Sequence, residues 1–516
     1  MTRKSLIPAV LAAIVFFQPV FGQAQQTINL TLEEAIAKAL KNNLNVAVEM
    51  FTPELAERSL DRAREAFMPR FEMSYGNNRT ENPSYWWISG AGTNISKMKD
   101  YSISIVEAVS TGGNFSVSMQ NYLSDTNQPF QLINPRYGST LRVDFTQPLL
   151  RNFGPKVARR QIALAEKNLE ISNSQLRNTM METIYLVQEG YWNLVFAIES
   201  FKVKQQSLQL GRDLLAKARK EVEFGQLAPL EILNAEAAVA QRDADLIQAE
   251  FAITRGQEVL KTMINLAAEG DFREARVVPV DRPAFTDVKL ILGEALKTAL
   301  DKRPDLWILQ KTIESKELGL TVAKNQMLPG LDLTLSYWSP GISGDRLIYA
   351  GDNIFAGVLI GKEPGSSSDA FRDAFKMLYS NWNVGLTLTI PLSSFLTKAD
   401  YAYAKAELGQ SQVRLKNMEQ QAALEISDSL RAIEANIKRV EAYRLARELA
   451  EKSLDAEVKK LAVGLSTNYF VLDFQERLAN AKSLELKARI DAVLSVERLE
   501  KAMGVNLEKR GFKIGD

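Results

Sequence analysis

The chain has 516 residues, with 63 Lys and Arg against 62 Asp and Glu, a net charge of +1, and neither histidine nor cysteine. Without imidazole or thiol, His-dependent triads, His and thiolate metal sites, thiol nucleophiles and disulfides are all excluded. The balanced charge argues against a nucleic-acid binder, which carries a basic excess.

Arg3 and Lys4 form a basic start, and Leu6 to Phe21 is an apolar run interrupted by Pro8, Gln18 and Pro19. Gly22-Gln23-Ala24 then places small residues at a cleavage site, so residues 1–24 read as a secretory signal peptide cleaved after Ala24. The run is short for a membrane anchor. No later stretch is an uninterrupted apolar run of spanning length, and even Thr183 to Ile198 carries Gln188 and Glu189.

The rest of the chain reads as two copies of one unit, 25–270 and 271–516. Leu32-Glu33-Glu34-Ala35-Ile36 matches Leu292-Gly293-Glu294-Ala295-Leu296 at an offset of 260, which carries on to Pro69/Pro329. A second match, at an offset of 239, pairs Val187 with Ile426, Ile198 with Ile437 and Gly225 with Gly464. The join falls near Ala267 to Asp287.

In chain order, each copy opens with one helix, Thr31 to Met68 or Val288 to Leu328, ended by Pro69 or Pro329. Strict period-2 alternation follows: Phe71, Met73 and Tyr75 against Glu72, Ser74 and Gly76, and Leu331, Leu333, Leu335 and Tyr337 against Asp332, Thr334 and Ser336. The first copy then adds a hairpin, Tyr101 to Val106 and Phe115 to Tyr122, turning at Thr111-Gly112-Gly113. A second alternating strand closes each copy. Leu141, Val143 and Phe145 end at Pro148; Trp382, Val384, Leu386, Leu388 and Ile390 end at Pro391.

Two proline-free stretches follow, Val157 to about Lys220 and Lys398 to about Ala462. Each predicts a helix on the order of 95 Å long, well beyond globular norms. Ile426, Leu430, Ile433, Ile437 and Val440 step 4-3-4-3, as do Val187, Tyr191, Leu194, Ile198 and Phe201. That period near 3.5 specifies a left-handed coiled coil. Gly225 and Gly464 end these helices, and a returning helix follows each, Leu230 to Leu266 and Tyr469 to Met503.

The apolar strand face is either the core of a sandwich or the lipid face of an outer-membrane barrel; periodicity alone does not separate them. The secretory leader, the absence of an apolar spanning segment, and the aromatics Trp86, Trp87, Trp338 and Trp382 beside the strands favour the barrel. About four main strands per chain cannot close one, since barrels start near eight. The barrel reading therefore requires oligomerisation, and a trimer would supply twelve strands.

The duplicated opening, the strand ends Gln147-Pro148-Leu149 and Ile390-Pro391-Leu392, and the turn Val463-Gly464-Leu465-Ser466 followed by Val471-Leu472-Asp473 resemble the TolC-like outer membrane efflux proteins. The resemblance spans the mature chain. It implies an α+β membrane protein: a homotrimeric twelve-strand β-barrel continued by a coiled-coil periplasmic tunnel. It implies a passive exit duct for efflux or type I secretion, joined to an inner-membrane pump or exporter through a periplasmic adaptor. It also implies outer-membrane lipid around the barrel, and no cofactor.

Under that resemblance, Gly225, Val463, Gly464, Leu465 and Ser466 form the periplasmic tip where the adaptor docks. Asp473 matches an acidic position that narrows the entrance, and Glu231 is a second acidic position in the first copy. Gly225 and Gly464 are equally expected as helix C-caps, and both carboxylates equally as solvated surface charges. Leu461, Ser466 and Phe470 replace a tyrosine, an arginine and an aspartate of the familiar entrance latch, which leaves Phe470 as an apolar constriction. Two other classes fit the sequence less well. A periplasmic helical scaffold or adaptor without a pore would lack the duplicated amphipathic strands. A carboxylate enzyme would need a catalytic domain for which the repeat leaves no room.

Overall fold

The computed structural model describes residues 27–84, 92–225, 228–269, 275–284, 291–352, 354–356, 358–390 and 395–512. The expected signal peptide, Trp86 and Trp87 lie outside the described residues, as does part of the expected join at 267–287. The first described element is a four-residue strand, β1 (Thr27–Leu30). Thr31 then caps α1 (Leu32–Asn42): its Oγ1 accepts from the Glu34 amide at 3.2 Å, and Glu34 Oε2 accepts from the Thr31 amide at 3.0 Å. This reciprocal capping box satisfies two amides that the first turn would otherwise leave open.

The expected single opening helix is in fact two in each half. Asn43 is extended, with φ −64° and ψ 127°, and its Oδ1 caps α2 (Leu44–Glu65) by accepting from the amides of Asn45 and Val46. Arg303 is extended in the same way between α6 (Leu292–Lys302) and α7 (Pro304–Gln326). The reason is local. An Asn side chain competes for the helix amides, and the residue before a proline disfavours the helical region.

All the described strands but β1 and one later partner form one antiparallel sheet. From α2 the chain enters β2 (Arg70–Pro83), β3 (Thr93–Ala108), β4 (Asn114–Thr126) and β5 (Ile133–Pro148), which neighbour one another in that order. The predicted turn joins β3 to β4: the Val109 amide donates to the Gly113 carbonyl at 2.7 Å. Gly112 has φ +97°, and a Cβ there would lie 2.3 Å from the Asn152 carbonyl oxygen, so only glycine fits. After the first helical hairpin, β6 (Arg276–Pro279) returns to pair in parallel with β1. The second half adds β7 (Gly330–Tyr349) beside β5. Two strands share the other edge of β7: β8 (Leu359–Glu363) at its far end and β9 (Asn381–Thr389) along Gly330–Trp338. The expectation of about four strands per chain is corrected here, because β3 and β4 pair along nearly their whole lengths between β2 and β5. The sheet is open, with edges at β2 on one side and at β8 and β9 on the other. A short helix, α8 (Ser367–Phe375), lies directly on β7, where a Cβ on Gly341 would sit 2.0 Å from the Ala370 carbonyl oxygen.

After β5, a short α3 (Pro155–Ala158) leads into α4 (Arg160–Glu223), which turns back into α5 (Leu230–Met263). After β9 the same order recurs as α9 (Phe395–Ala462) and α10 (Asn468–Ala502), followed by a short α11 (Asn506–Lys509). At 64 and 68 residues, α4 and α9 are roughly 95–100 Å long. No helix among the described residues is long and apolar enough to cross a membrane.

The heptad positions are the packed ones. Val187, Tyr191 and Leu194 are fully buried in a cluster with Leu30, Ile36, Leu260 and Ile490, and Ile426 and Ile433 anchor a second cluster with Leu499. Tyr191 joins the small β1–β6 sheet to the long helices. Its hydroxyl lies 2.7 Å from Asp281 Oδ2 and 3.0 Å from the Leu30 carbonyl oxygen, and it accepts from the Asp281 amide at 3.1 Å. The same Asp281 carboxylate accepts from the Leu32 amide at 2.7 Å, at the start of α1. Burial pushes the Tyr191 phenol above its ordinary range, so it stays neutral. Tyr191→Phe keeps the ring and strands its buried partners. It should cost about 1–3 kcal/mol and lower the thermal midpoint in detergent; an unchanged midpoint would remove Tyr191 as the hub.

Candidate functional site at the helical tips

Both glycine turns lie at the end of the helices opposite the sheet, and both need glycine. Gly225 has φ +73° and Gly464 φ +75°. At the second turn, the Leu465 amide donates to the Lys460 carbonyl at 2.9 Å and the Gly464 amide to the Leu461 carbonyl at 3.1 Å. This is a Schellman cap, which uses a left-handed residue to satisfy the last carbonyls of a helix. Gly225 makes the corresponding bond to Val222 at 2.9 Å. Among the described residues, chain neighbours aside, no atom stands within 4 Å of a Cβ built on either glycine.

Around these turns the surface is apolar. Phe224, Val463 and Leu465 are 75%, 69% and 78% exposed, and Tyr469 and Phe470 stack edge to face at 5.7 Å. Beneath them, Leu214 and Leu215 of α4, Ala235 of α5, Leu454 and Leu461 of α9, and Val471 and Leu472 of α10 form one cluster. The tips of the two hairpins are therefore packed together. Leu461 belongs to this core, and Ser466 is a clip: its hydroxyl donates to the buried carboxylate of Glu457 on α9, which also takes the Lys460 ammonium at 3.1 Å. These two partners hold the Glu457 carboxyl below its ordinary value.

The two expected entrance carboxylates differ. Asp473 is one-third exposed and pairs with Arg477 at 2.8 Å, one helical turn away. Glu231 stands in the first turn of α5, half-buried, with one carboxylate oxygen that has no hydrogen-bond partner among the described residues. A carboxylate there is favoured by the positive end of the helix dipole.

Sequence reasoning missed Arg242 on α5. Its guanidinium is buried, and it donates to the Leu472 carbonyl at 2.9 Å, to Gln475 Oε1 at 3.0 Å and to the Ser207 carbonyl at 3.0 Å. It thereby ties α4 and α5 of the first hairpin to α10 of the second, beside Asp473. Its Nη1 lies 2.8 Å from where a Gly211 Cβ would stand, so Gly211 makes room for it. Burial lowers its pKa from the ordinary arginine value. The available signal was a glycine in the middle of a long heptad helix, Gly211, facing an arginine in the returning helix.

The Ser466–Glu457 clip predicts a pH response. A carboxyl depressed in the folded state contributes stability that is complete above its ordinary value of 4.5 and is lost as pH falls through the depressed value. A spin label on a cysteine at Leu465, in a chain with no other cysteine, should be ordered at neutral pH and gain mobility as the pH falls below 4.5 and through the depressed value. In Ser466→Ala it should already be mobile at neutral pH. Equal mobility of the two proteins at every pH would show that the clip orders nothing.

Comparison with known proteins places this architecture. The family described as outer membrane efflux protein matches residues 108–266 and 295–505. The outer membrane protein TolC of Vibrio cholerae is 24% identical over 355 residues, covering 67% of this chain and 73% of its own. The outer membrane efflux protein BepC of Brucella suis is 19% identical over 495 residues, covering 96% and 90%. The crystal structure of the Campylobacter jejuni CmeC outer membrane channel superposes with a TM-score of 0.67, at 14% identity, over 100% of this chain and 95% of its own. The family match takes in strands and the long helical hairpin of each half, and with it the chain belongs to the outer membrane efflux protein family, a duct of the outer membrane and not an enzyme.

Proposed function

We propose that the chain is the outer-membrane exit duct of a tripartite efflux or type I secretion system. Three copies assemble, their sheets close a barrel in the membrane, and their helices form a tunnel through the periplasm to an adaptor and an inner-membrane pump. Each chain contributes two structural units, 25–270 and 271–516, behind a leader at 1–24. One observation carries this reading: a sheet with one apolar, exposed face is continuous with helices of nearly 100 Å that end in apolar tips. Leu386 and Leu388 of β9 are 64% and 58% exposed, and they alternate with Thr387 and Thr389. Leucines placed outward at every second position suit lipid, with the threonines toward the lumen. A pore-less periplasmic scaffold would have no use for such a face.

At the tips, Gly225, Val463, Gly464, Leu465 and Ser466 offer an apolar, glycine-bordered surface to a helical hairpin of the adaptor. In a trimer, Asp473 and Glu231 each become a ring of three carboxylates, with Phe470 as an apolar ring beside them. Rings of one sign inside low-dielectric walls concentrate counter-ions. Because Arg477 offsets Asp473, Arg477→Gln should raise cation selectivity and Asp473→Asn should lower it, read from reversal potentials in planar bilayers. No change in either variant would place the constriction elsewhere.

Two further tests address the membrane and the adaptor. Leu388→Lys should cost about 2–4 kcal/mol near the bilayer midplane and reduce the yield of assembled protein, whereas Thr387→Lys should be mild. Equal yields would contradict the barrel orientation. Gly464→Leu combined with Gly225→Leu should abolish export while trimer yield stays normal, and undiminished export would refute docking at the tips.

A further inference from the structure

The β3–β4 hairpin has no counterpart among the described residues of the second half, where two single-turn 3-10 helices, the short β8 and α8 lie between β7 and β9. We infer that this hairpin is part of the barrel wall, so that each chain supplies six staves and the assembled trimer closes a barrel of eighteen strands. The inference rests on the trimeric barrel reading and adds the hairpin to it.

Three observations carry it. First, the hairpin is paired to strand neighbours on both sides along its length: β3 to β2 from Thr93 to Val106, and β4 to β5 from Asn114 to Ser124. A hairpin folded away from the wall would leave β2 and β5 to pair with each other, and here they do not.

Second, the hairpin carries the same two faces as the other four strands, in register. One row crosses all six as Phe71, Ile105, Val117, Val143, Tyr337 and Trp382. The next row runs Met73, Ile103, Met119 and Leu141. On the opposite face the row reads Glu72, Ser104, Ser118, Arg142, Trp338 and Asn381. That face is bonded across strands, from Ser74 Oγ to Ser102 Oγ at 2.7 Å and from Ser336 Oγ to Asp144 Oδ1 at 2.6 Å. Ile103 and Ile105 are more than 40% exposed on the apolar side. Placed in the lumen or the periplasm they would face water, whereas in the wall they extend the lipid belt that Leu386 and Leu388 begin.

Third, the two free edges suit each other. The chain runs up β2 from α2 and down β9 into α9, so β9 of one copy and β2 of the next meet antiparallel, with Leu386 and Met73 on the same side of the wall. The extra pair of strands also spreads β2 from β5 while α2 and α4 stay packed. This leaves a cavity of about 630 Å³ under the β3–β4 turn, lined by Arg64, Phe67, Val109, Phe145 and Arg159. Barrel diameter grows roughly linearly with strand number, so at equal tilt an eighteen-strand wall is about one and a half times as wide as one of twelve. The barrel is then the wide part of the duct, and discrimination falls to the tips.

The test uses the full chain in outer membranes, starting from a sequence without cysteine. Phe71→Cys with Ile105→Cys should cross-link within the chain on oxidation. Phe71→Cys with Leu141→Cys, Val143→Cys or Phe145→Cys should stay at background. The reverse pattern would overturn the inference, because it would put β2 against β5. Single spin labels at Ile105 and Ser104 provide a second measurement that does not depend on paired substitutions, with Leu386 and Thr387 as controls on β9. Labels at Ile105 and Leu386 should collide with oxygen in the lipid, and labels at Ser104 and Thr387 with a water-soluble nickel complex. If Leu386 reports lipid but Ile105 reports water, the six-stave wall is wrong and the barrel stands. If Leu386 itself reports water, the barrel reading fails.

Discussion

A sheet in hydrocarbon cannot keep an open edge. Each unpaired amide or carbonyl there costs several kcal/mol, and the bilayer offers no water to satisfy it. This chain ends its sheet at β2 and β9 and has an apolar, exposed face between them. Everything else in the proposed assembly follows from closing that edge. Copies must join strand to strand, and the helices that continue from those strands are then brought into a ring. The end of the ring farthest from the membrane is then the place proposed for contact with another protein. In water the same edge would invite aggregation, so the protein depends on reaching its membrane.

The helices solve a different problem. A helix of nearly 100 Å has little to hold it except its neighbours, and its stability is packing rather than propensity. The heptad stripes supply that packing along the length, but two polar devices fix the ends. Near the sheet, the Tyr191 hydroxyl and the Asp281 carboxylate gather β1, β6 and the start of α1. At the tip, the Arg242 guanidinium holds the carbonyls of two different hairpins. Both are buried groups with several partners each. Such networks specify one arrangement because loss of any member leaves the rest unsatisfied.

Much of this was legible in the sequence. Period-2 runs gave the strands at Phe71, Leu331 and Trp382, and 4-3-4-3 spacing gave the packed stripe at Val187 to Phe201. Gly225 and Gly464 marked the turns, because a left-handed cap needs a residue without a Cβ. The helix breaks were encoded as well, in Asn43 and in the Arg303-Pro304 pair, but a long apolar periodicity around them concealed the restart. The strand count went astray over β3 and β4, which the pattern shows as a hairpin at Tyr101 to Val106 and Phe115 to Tyr122. That this hairpin pairs on to β2 and β5 is a long-range fact, which local alternation does not carry. The β1–β6 pair leaves little local trace: four residues at Thr27 find four at Arg276, across almost 250 residues of chain. Arg242 was missed for a similar reason. Two of its three partners are backbone carbonyls, which leave no trace in a residue pattern, and the glycine opposite it, Gly211, was the one signal.

Amide hydrogen exchange along the two edge strands, on the full chain reconstituted in lipid vesicles, tests the central claim most directly. If copies join β9 to β2, the outward-facing amides of both strands should be protected as strongly as those of β5, which is paired on both sides within one chain. If those amides exchange as fast as those of a free edge while β5 remains protected, the sheet is not closed by its neighbours, and the duct does not form in the way proposed.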